Sequence, residues 1–378
     1  MIIRIGVAVA ITALVLGACG GGGSSSGGGN ASNSGEQTTS VKVVGDSLND
    51  SGTFGFKFTV QGTPPYPIWT ERVASALSAP ALCPRYSAAG LVLTLNAAAT
   101  GCTSYGVGGA RINPRNTSDD LTPLSILQQL KDLRAQGPYG VRDLLLVDGG
   151  GNDLADLAED YAKAHVVAQI TAFDNLTAEL MSVQDKDGLT REQIGELYAS
   201  RLADALVDAL TTEALNRDAQ RIVVLTAPDI TRTPKFTQLM AAVAVVFPLP
   251  AAQVKTAVSN WVRVFNDRLR ARLAIQSRVV VVDFYAELNK WLDAPATPAA
   301  PNIYGLTNTT TPACPPKSAG GLPTYDISAC TDALLTGTAP SGDWWKTYVF
   351  SDNFHGTPRT NELMGDAVVK ALEVKGWK

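Results

Sequence analysis

Four short runs of apolar residues recur along the chain, and none of them alternates apolar with polar positions. They cover residues 41–44, 144–147, 222–226 and 279–282. Continuous apolar runs of this length are typical of strands that are buried on both faces, as in parallel sheets. The pattern therefore predicts a central, mainly parallel sheet.

Helical patterns separate these runs. Apolar residues at helical spacing follow Thr122-Pro123, and Thr190 with Gln193 has the spacing of a capping box that begins a helix reaching about residue 215. An apolar stripe over residues 254–269 predicts another helix, and a last one covers about 361–374. Because strands alternate with helices, the chain is expected to form a doubly wound α/β sandwich.

Polar residues capable of catalysis follow the first two strands. Ser47 lies in Gly-Asp-Ser-Leu, and Asn152 lies in Gly-Gly-Asn-Asp. Ligands of such sheets bind at the carboxyl ends of the strands. Ser47 can be a nucleophile if a base takes its proton, or it can simply cap a helix. Asn152 can donate a hydrogen bond to an oxyanion, or it can serve a turn.

The chain has two histidines, His165 and His355. Asp352 precedes His355 by three residues, a spacing that lets its carboxylate hold the imidazole and leaves the second ring nitrogen for a serine. His165 lies in a helical pattern without such an acid, so it is interpreted as a structural histidine. These spacings favour His355 as the base for Ser47.

A glycine-rich segment, Tyr105-Gly-Val-Gly-Gly-Ala-Arg111, lies between the first two strands. Glycine permits unusual backbone dihedral angles and close approach of a substrate, so a backbone N–H here could also bind an oxyanion. The segment is not a dinucleotide-binding motif, because Arg111 replaces the last glycine of that pattern.

The order of these motifs along the chain resembles that of the SGNH (GDSL) hydrolases. Gly-Asp-Ser-Leu comes first, a glycine pair next, then Gly-x-Asn-Asp, and Asp-x-x-His comes last. The similarity covers about residues 41–375 and is greatest to the bacterial lipase-like branch, which residues 227–234 and 304–308 also resemble. It implies a three-layer α/β/α sandwich with a mainly parallel, flavodoxin-like sheet.

The resemblance also implies a role for each matching residue. Ser47 would be the nucleophile, with its N–H as one oxyanion donor; the others are Gly109 (with Gly108 as a close rival) and Asn152, and the triad is completed by Asp352 and His355. Two positions depart from the family pattern: His355 is followed by Gly-Thr-Pro where Pro-Thr is usual, and Ser104 stands where the second block usually begins with Asn.

The function that this implies is hydrolysis of a carboxylic ester of the acyl or lipid type through an acyl-enzyme, without a metal or organic cofactor. A carbohydrate O-acetyl esterase is the alternative within the same chemistry. A non-catalytic, ligand-binding surface lipoprotein is the alternative from another class.

The N-terminus predicts export. A short positive start precedes an apolar run over residues 5–16, which is too short to span a bilayer but suits a signal peptide. Leu-Gly-Ala-Cys19 resembles a lipobox, so we expect a signal peptide over 1–18, lipidation of Cys19, a Gly/Ser tether over 19–40, and the hydrolase domain over 41–378. By resemblance, Gly20 favours a bacterial outer membrane, on its periplasmic or surface face.

The net charge of -4 gives no reason to expect nucleic acid as a partner. Besides Cys19, the chain has Cys83, Cys102, Cys314 and Cys330, and an even number of cysteines in an exported protein indicates disulfides. Three pairings are possible, of which Cys83–Cys102 with Cys314–Cys330 closes the shortest loops. A metal site is disfavoured because no Cys-x-x-Cys or paired His accompanies them.

Overall fold

The computed structural model describes residues 37–378, apart from 91, 116, 165–169, 247–250, 298–299, 319–321 and 339–341. Its strands are β1 (Ser40–Val44), β2 (Tyr86–Ala89), β3 (Val92–Leu95), β4 (Asp143–Val147), β5 (Arg221–Leu225) and β6 (Val279–Val282). Its helices are α1 (Trp69–Ala76), α2 (Ile126–Ala135), α3 (Gly151–Ala164), α4 (Ile170–Ala178), α5 (Val183–Lys186), α6 (Arg191–Glu213), α7 (Pro234–Val246), α8 (Ala251–Leu273), α9 (Phe284–Asp293), α10 (Asp332–Thr336) and α11 (Pro358–Lys375).

The central sheet is parallel, in the order β1-β4-β5-β6. Residues on the two sides of each strand enter different cores. Leu145 and Val147 pack with α2, α3, α6 and α8, whereas Leu144 and Leu146 pack with α1, α9 and α11. Because both faces are covered by helices, most positions of the strands are apolar, which explains the apolar runs; Lys42 in β1 is an exception and pairs with Asp143 of β4. The predicted three-layer α/β/α sandwich is confirmed.

The helix predicted after Thr122 begins three residues later than expected. Ser125 is its N-cap, since its hydroxyl accepts the N–H of Gln128. The hydroxyl of Thr122 accepts the N–H of Leu124 and so closes the preceding turn instead. The capping box of Thr190 and Gln193 is confirmed at the start of α6.

The structure adds a feature that the sequence pattern did not predict. Strands β2 and β3 form a small antiparallel hairpin, Tyr86 to Leu95 in register. Its residues are mostly exposed, so the buried runs used to predict strands are absent from it.

The segment between α9 and α11 forms a third apolar cluster with the loop after β1. Val60, Cys314, Ile327, Cys330 and Trp345 are buried together there. Backbone hydrogen bonds extend from this segment to both motif loops: Gln61 N–H donates to the Cys330 carbonyl, and Cys314 N–H donates to Ser351. This segment between α9 and α11, which we call the excursion, therefore holds in place the loops that carry Ser47 and His355.

Candidate active site

A tight turn at the carboxyl end of β1 presents Ser47. The N–H of Asn49 donates to the carbonyl of Asp46 (3.0 Å), and the Asn49 side chain donates back to the Val44 carbonyl (2.7 Å). Gly45 opens the turn at φ +150°, where a Cβ atom would lie 1.8 Å from a carboxylate oxygen of Asp148. The turn thus requires glycine at position 45 and leaves Ser47 only 4 % exposed.

His355 lies between Ser47 and Asp352. Its Nε2 is 2.8 Å from Ser47 Oγ, although the two residues are 308 positions apart in sequence. Its Nδ1 is 2.7 Å from Asp352 Oδ2. Both distances are within the range of a hydrogen bond that can transfer a proton. The structure thus brings together the three residues that the motifs singled out.

The loop that carries His355 is closed by its own backbone. Asp352 Oδ1 accepts the N–H groups of Phe354 and His355, each at 2.7 Å, and Ser351 N–H donates to the His355 carbonyl at 2.7 Å. The departure from the family pattern after His355 is accommodated at Gly356, where a Cβ would lie 2.7 Å from Thr360. The imidazole is therefore held in place by the turn as well as by the carboxylate.

The surroundings favour a charged carboxylate at Asp352. Burial alone would raise the pKa of this group, but the charge of His355 and the hydrogen bonds from the loop outweigh burial and hold the pKa below its usual value. Two aromatic rings pack against the imidazole, Phe58 at 5.0 Å and Phe354 at 5.9 Å between ring centres. An ionised Asp352 in this position favours the Nδ1–H tautomer of His355, whose Nε2 can accept a proton.

The second motif runs beside β1. Val43 N–H donates to Thr103, Tyr105 N–H donates to Val43, and Val107 N–H donates to Gly45. This pairing places the glycine pair next to the Ser47 turn. Ser104, which replaces the usual Asn, donates its hydroxyl to the carbonyl of Asn49 (3.3 Å) and so ties the two motifs together.

The two rival glycines differ in what their N–H groups do. Gly108 N–H donates to Asp50 Oδ2 at 2.8 Å and is therefore occupied. Gly109 N–H and Ser47 N–H have no hydrogen-bond partner among the described residues. Gly109 has φ +80°, a backbone conformation that side chains rarely adopt.

The third motif, Gly-x-Asn-Asp, holds the segment that carries Gly109 from its other side. Asn152, in the first turn of α3, donates one amide hydrogen to the Ala110 carbonyl at 3.0 Å. Asp153 accepts the N–H groups of Ile112 (3.1 Å) and Asn113 (2.7 Å), and burial raises its pKa to about 7. Asn152 retains a second amide hydrogen, which can serve as a donor to an oxyanion together with the free N–H groups of Ser47 and Gly109.

The structure also shows a buried carboxyl pair that the sequence motifs did not reveal. Asp46 N–H donates to Asp148 Oδ1 at 3.1 Å, and the two carboxyl groups lie close enough for their charges to interact. Burial raises the pKa of both, and the charge of Asp46 further raises the pKa of Asp148. Because burial and the neighbouring charge disfavour ionisation, the pair is expected to hold a proton above the pH at which a free carboxyl group loses it. Asp148 directly follows β4 and Asp46 is the second residue after the neighbouring β1, which is the sequence signal that could have suggested their contact.

An apolar pocket opens beside Ser47 and His355. Besides these two residues it is lined mainly by hydrophobic side chains, namely Leu48, Leu225, Phe284, Leu288, Phe354 and Met364. We call it the first pocket; with the space open to solvent it encloses about 690 Å³. Its position next to a Ser–His pair makes it suited to hold an apolar chain attached to a reacting carbonyl.

The other predicted residues differ in what the structure says of them. Cys83 is bonded to Cys102, and Cys314 to Cys330, which is the short-loop pairing among the three that the sequence left open. Cys19 and His165 lie outside the described residues. Within residues that are described, no cluster of three His, Cys, Asp or Glu side chains could hold a metal, and no helix is long and apolar enough to cross a membrane.

Comparison with protein families agrees with this geometry. The model of the GDSL-like Lipase/Acylhydrolase family matches residues 41–368, which includes all four motifs. No curated protein matches the chain.

Proposed function

The chain belongs to the GDSL-like lipase/acylhydrolase family, whose members are serine acyl hydrolases, and on that premise we propose that it cleaves carboxylic esters through an acyl-enzyme on Ser47. The observation that carries the proposal is the continuous chain of hydrogen bonds from Ser47 Oγ through His355 to Asp352. This arrangement supplies a nucleophile, a base and a group that orients the base.

In the first half of the reaction, Ser47 Oγ attacks the ester carbonyl while its proton passes to His355 Nε2. The carbonyl oxygen becomes an oxyanion, and the C–O bond to the alcohol then breaks as His355 returns the proton to the departing oxygen. In the second half, water takes the place of the alcohol and attacks the acyl carbon while His355 accepts its proton. The bond from the acyl carbon to Ser47 Oγ then breaks, His355 returns the proton to Oγ, and the acid leaves. Asp352 stays ionised and stabilises the imidazolium in both halves.

The oxyanion would be held by Ser47 N–H, Gly109 N–H and the Asn152 amide. Gly109 is preferred to Gly108 because the Gly108 N–H is already occupied by Asp50. Asn152 and Asp153 hold the segment that carries Gly109 by accepting and donating hydrogen bonds on its far side. Each donor that is prepositioned in this way contributes on the order of 10²–10³ in rate.

The first pocket favours esters with an apolar acyl chain. Most of its wall is hydrocarbon, so transfer of a fatty chain from water into it is favourable; the carboxyl groups of Asp46 and Asp148 and three threonines form the smaller polar part that a sugar would need. We therefore place lipid-type acyl esters before O-acetylated carbohydrates as substrates.

The N-terminal segment of the sequence gives the proposed location of the protein. We propose that residues 1–18 are a lipoprotein signal peptide, that Cys19 carries lipid, and that the segment from Cys19 to the start of β1 at Ser40 tethers the hydrolase domain to a bacterial outer membrane. Replacement of Cys19 by Ser should leave an unlipidated protein that fractionates away from the membrane. Unchanged lipid labelling of Cys19→Ser would contradict the anchor.

The experiment for the substrate compares p-nitrophenyl butyrate and octanoate with an acetylated sugar, using the wild-type protein and Ser47→Ala. We expect kcat/KM to be highest for the p-nitrophenyl acyl esters, and kcat to fall on the order of 10⁶-fold in the variant. Preference for the acetylated sugar would favour the O-acetyl esterase alternative. Absence of any hydrolysis by a folded wild-type protein would favour the non-catalytic alternative.

A further inference from the structure

A second apolar pocket lies against the first, at the same end of the sheet. Its walls include Ala155 and Ala158 from α3, Phe236 and Leu239 from α7, and Ile230. With the space open to solvent it encloses about 630 Å³. Neither Ser47 nor His355 lines it, and the reaction described above does not use it.

Phe354 and Thr233 line both pockets. Phe354 is therefore the large side chain that the two walls share. Its ring contacts His355 edge-on at an interplanar angle of 83°, and the ammonium group of Lys235 lies 4.9 Å from its centre. Its backbone N–H is bound to Asp352. The ring is thus held in position by its neighbours and by the closed turn of the His355 loop.

The walls of the second pocket indicate what it can bind. They come mainly from alanine, leucine, isoleucine and phenylalanine side chains, which offer contact area and few hydrogen bonds; the polar side chains of Glu159, Lys235, Gln238 and Asn353 line a smaller part. A hydrocarbon chain suits such a surface, because transfer of its methylene groups from water is favourable. A polar ligand would lose its hydrogen bonds to water wherever it met the apolar part of the wall.

We propose that Phe354 sets the acyl-chain length that the site accepts, and that the second pocket is a further hydrocarbon-binding site which a longer chain enters when this ring is absent. The inference rests on the proposed esterase function of Ser47. Phe354 acts here as a specificity-determining residue, while the reacting groups remain those of Ser47 and His355.

The test measures kcat/KM on p-nitrophenyl esters from two to sixteen acyl carbons, for the wild-type protein and Phe354→Ala. The wild-type values should rise with chain length and then level off or fall at the length where the chain meets the ring. In Phe354→Ala the rise should continue past that length by up to about fourfold per methylene, the factor that corresponds to about 0.8 kcal/mol per buried CH₂. A profile of unchanged shape in a folded Phe354→Ala protein would overturn the inference.

Phe58→Ala is the matched control. Phe58 also packs on His355, at 5.0 Å, but it lines neither pocket. Its removal should lower kcat/KM by a similar factor for every ester and leave the optimum chain length where it was. If the optimum chain length shifted equally in Phe58→Ala and Phe354→Ala, the position of the imidazole, and not the ring of Phe354 between the pockets, would control the chain length that is accepted.

Two further variants keep the result independent of folding defects. Phe354→Leu replaces the ring by a smaller side chain without creating a large cavity, and it should shift the optimum acyl-chain length part of the way. Adding Leu239→Trp to Phe354→Ala fills the second pocket and should remove the gain on long chains. If the wild-type protein hydrolysed no ester, the proposed function would fail; if it did but the double variant kept the gain, only this inference would fail.

Discussion

Replacement of Asp352 by Asn separates the charge of Asp352 from its shape. Oδ1 closes the turn by accepting two backbone N–H groups, while Oδ2 faces His355 Nδ1 at 2.7 Å. An asparagine carbonyl can keep the first two hydrogen bonds, but its amide nitrogen must then face Nδ1. His355 would then carry its proton on Nε2, and this nitrogen could no longer accept the proton of Ser47.

The size of the effect follows from this change of tautomer. Inversion of the tautomer in a Ser–His–Asp arrangement lowers kcat on the order of 10⁴-fold, which corresponds to about 5.4 kcal/mol at 1.36 kcal/mol per tenfold. Asp352→Ala should impair catalysis as well, but it also leaves the two buried N–H groups without an acceptor. At about 1–3 kcal/mol for each group, the free energy of unfolding should fall by about 2–6 kcal/mol in Asp352→Ala.

The assay combines kcat on p-nitrophenyl butyrate with urea unfolding of the wild-type protein, Asp352→Asn and Asp352→Ala. Both variants should lose most of their activity, but only Asp352→Ala should show the large fall in the free energy of unfolding. If Asp352→Asn kept kcat within tenfold of the wild type, Asp352 would not be the group that orients His355. His165→Ala serves as the control and should change kcat little.

Three other changes test the surroundings of the site. Asp148→Asn removes a proton that the folded wild-type protein holds above pH 4, the pKa of an unfolded carboxyl group being about 4. From pH 4 upward, the free energy of unfolding measured with urea should therefore fall in the wild type relative to this variant, by up to about 1.4 kcal/mol per pH unit. An equal pH dependence of the two proteins would show that Asp46 and Asp148 share no proton. Reduction of the two disulfides, which close loops of 19 and 16 positions, should cost about 3 kcal/mol each and lower the melting temperature; an unchanged melting temperature with four titrated thiols would refute this. Gly45→Ala should abolish activity and lower the yield of folded protein, whereas Gly101→Ala, whose added Cβ meets no atom within 4 Å, should not; similar activity of the two variants would contradict the need for glycine in the Ser47 turn.

Much of the fold could be predicted because the buried strands have a simple pattern. The four strands of the central sheet lie within one residue of the apolar runs, since each is covered on both faces. Helix ends were less predictable: Thr122 and Ser125 are both good caps, and only the packing of α2 decides between them. The β2–β3 hairpin is exposed, so hydrophobic pattern carries no information about it.

In the candidate site, too, some features could be predicted from the sequence and others could not. Ser47, Asp352 and His355 could be singled out because their motifs are local and their order along the chain is distinctive. The pairing of Asp46 with Asp148 depends on β1 lying beside β4, with Val44 opposite Val147 in register, which no local motif specifies. The occupied N–H of Gly108 likewise required the position of Asp50, so the sequence alone could not separate the two glycines.

Contacts with the His355 ring were also beyond the sequence. Phe58 belongs to the loop after β1, and its meeting with the C-terminal loop depends on the excursion that braces both. Phe354 is next to His355 in sequence, but its place between two pockets is a property of the assembled helices.

The central claim, that Ser47 is a nucleophile activated by His355, is tested most directly by a fluorophosphonate probe and intact-mass analysis. The wild-type protein should gain one phosphonyl group, located at Ser47 by peptide mapping, and labelling should become at least about 10³-fold slower in His355→Ala. Folded Ser47→Ala should gain none. Labelling of Ser47→Ala at the wild-type rate, or of the wild-type protein at another serine, would contradict the account.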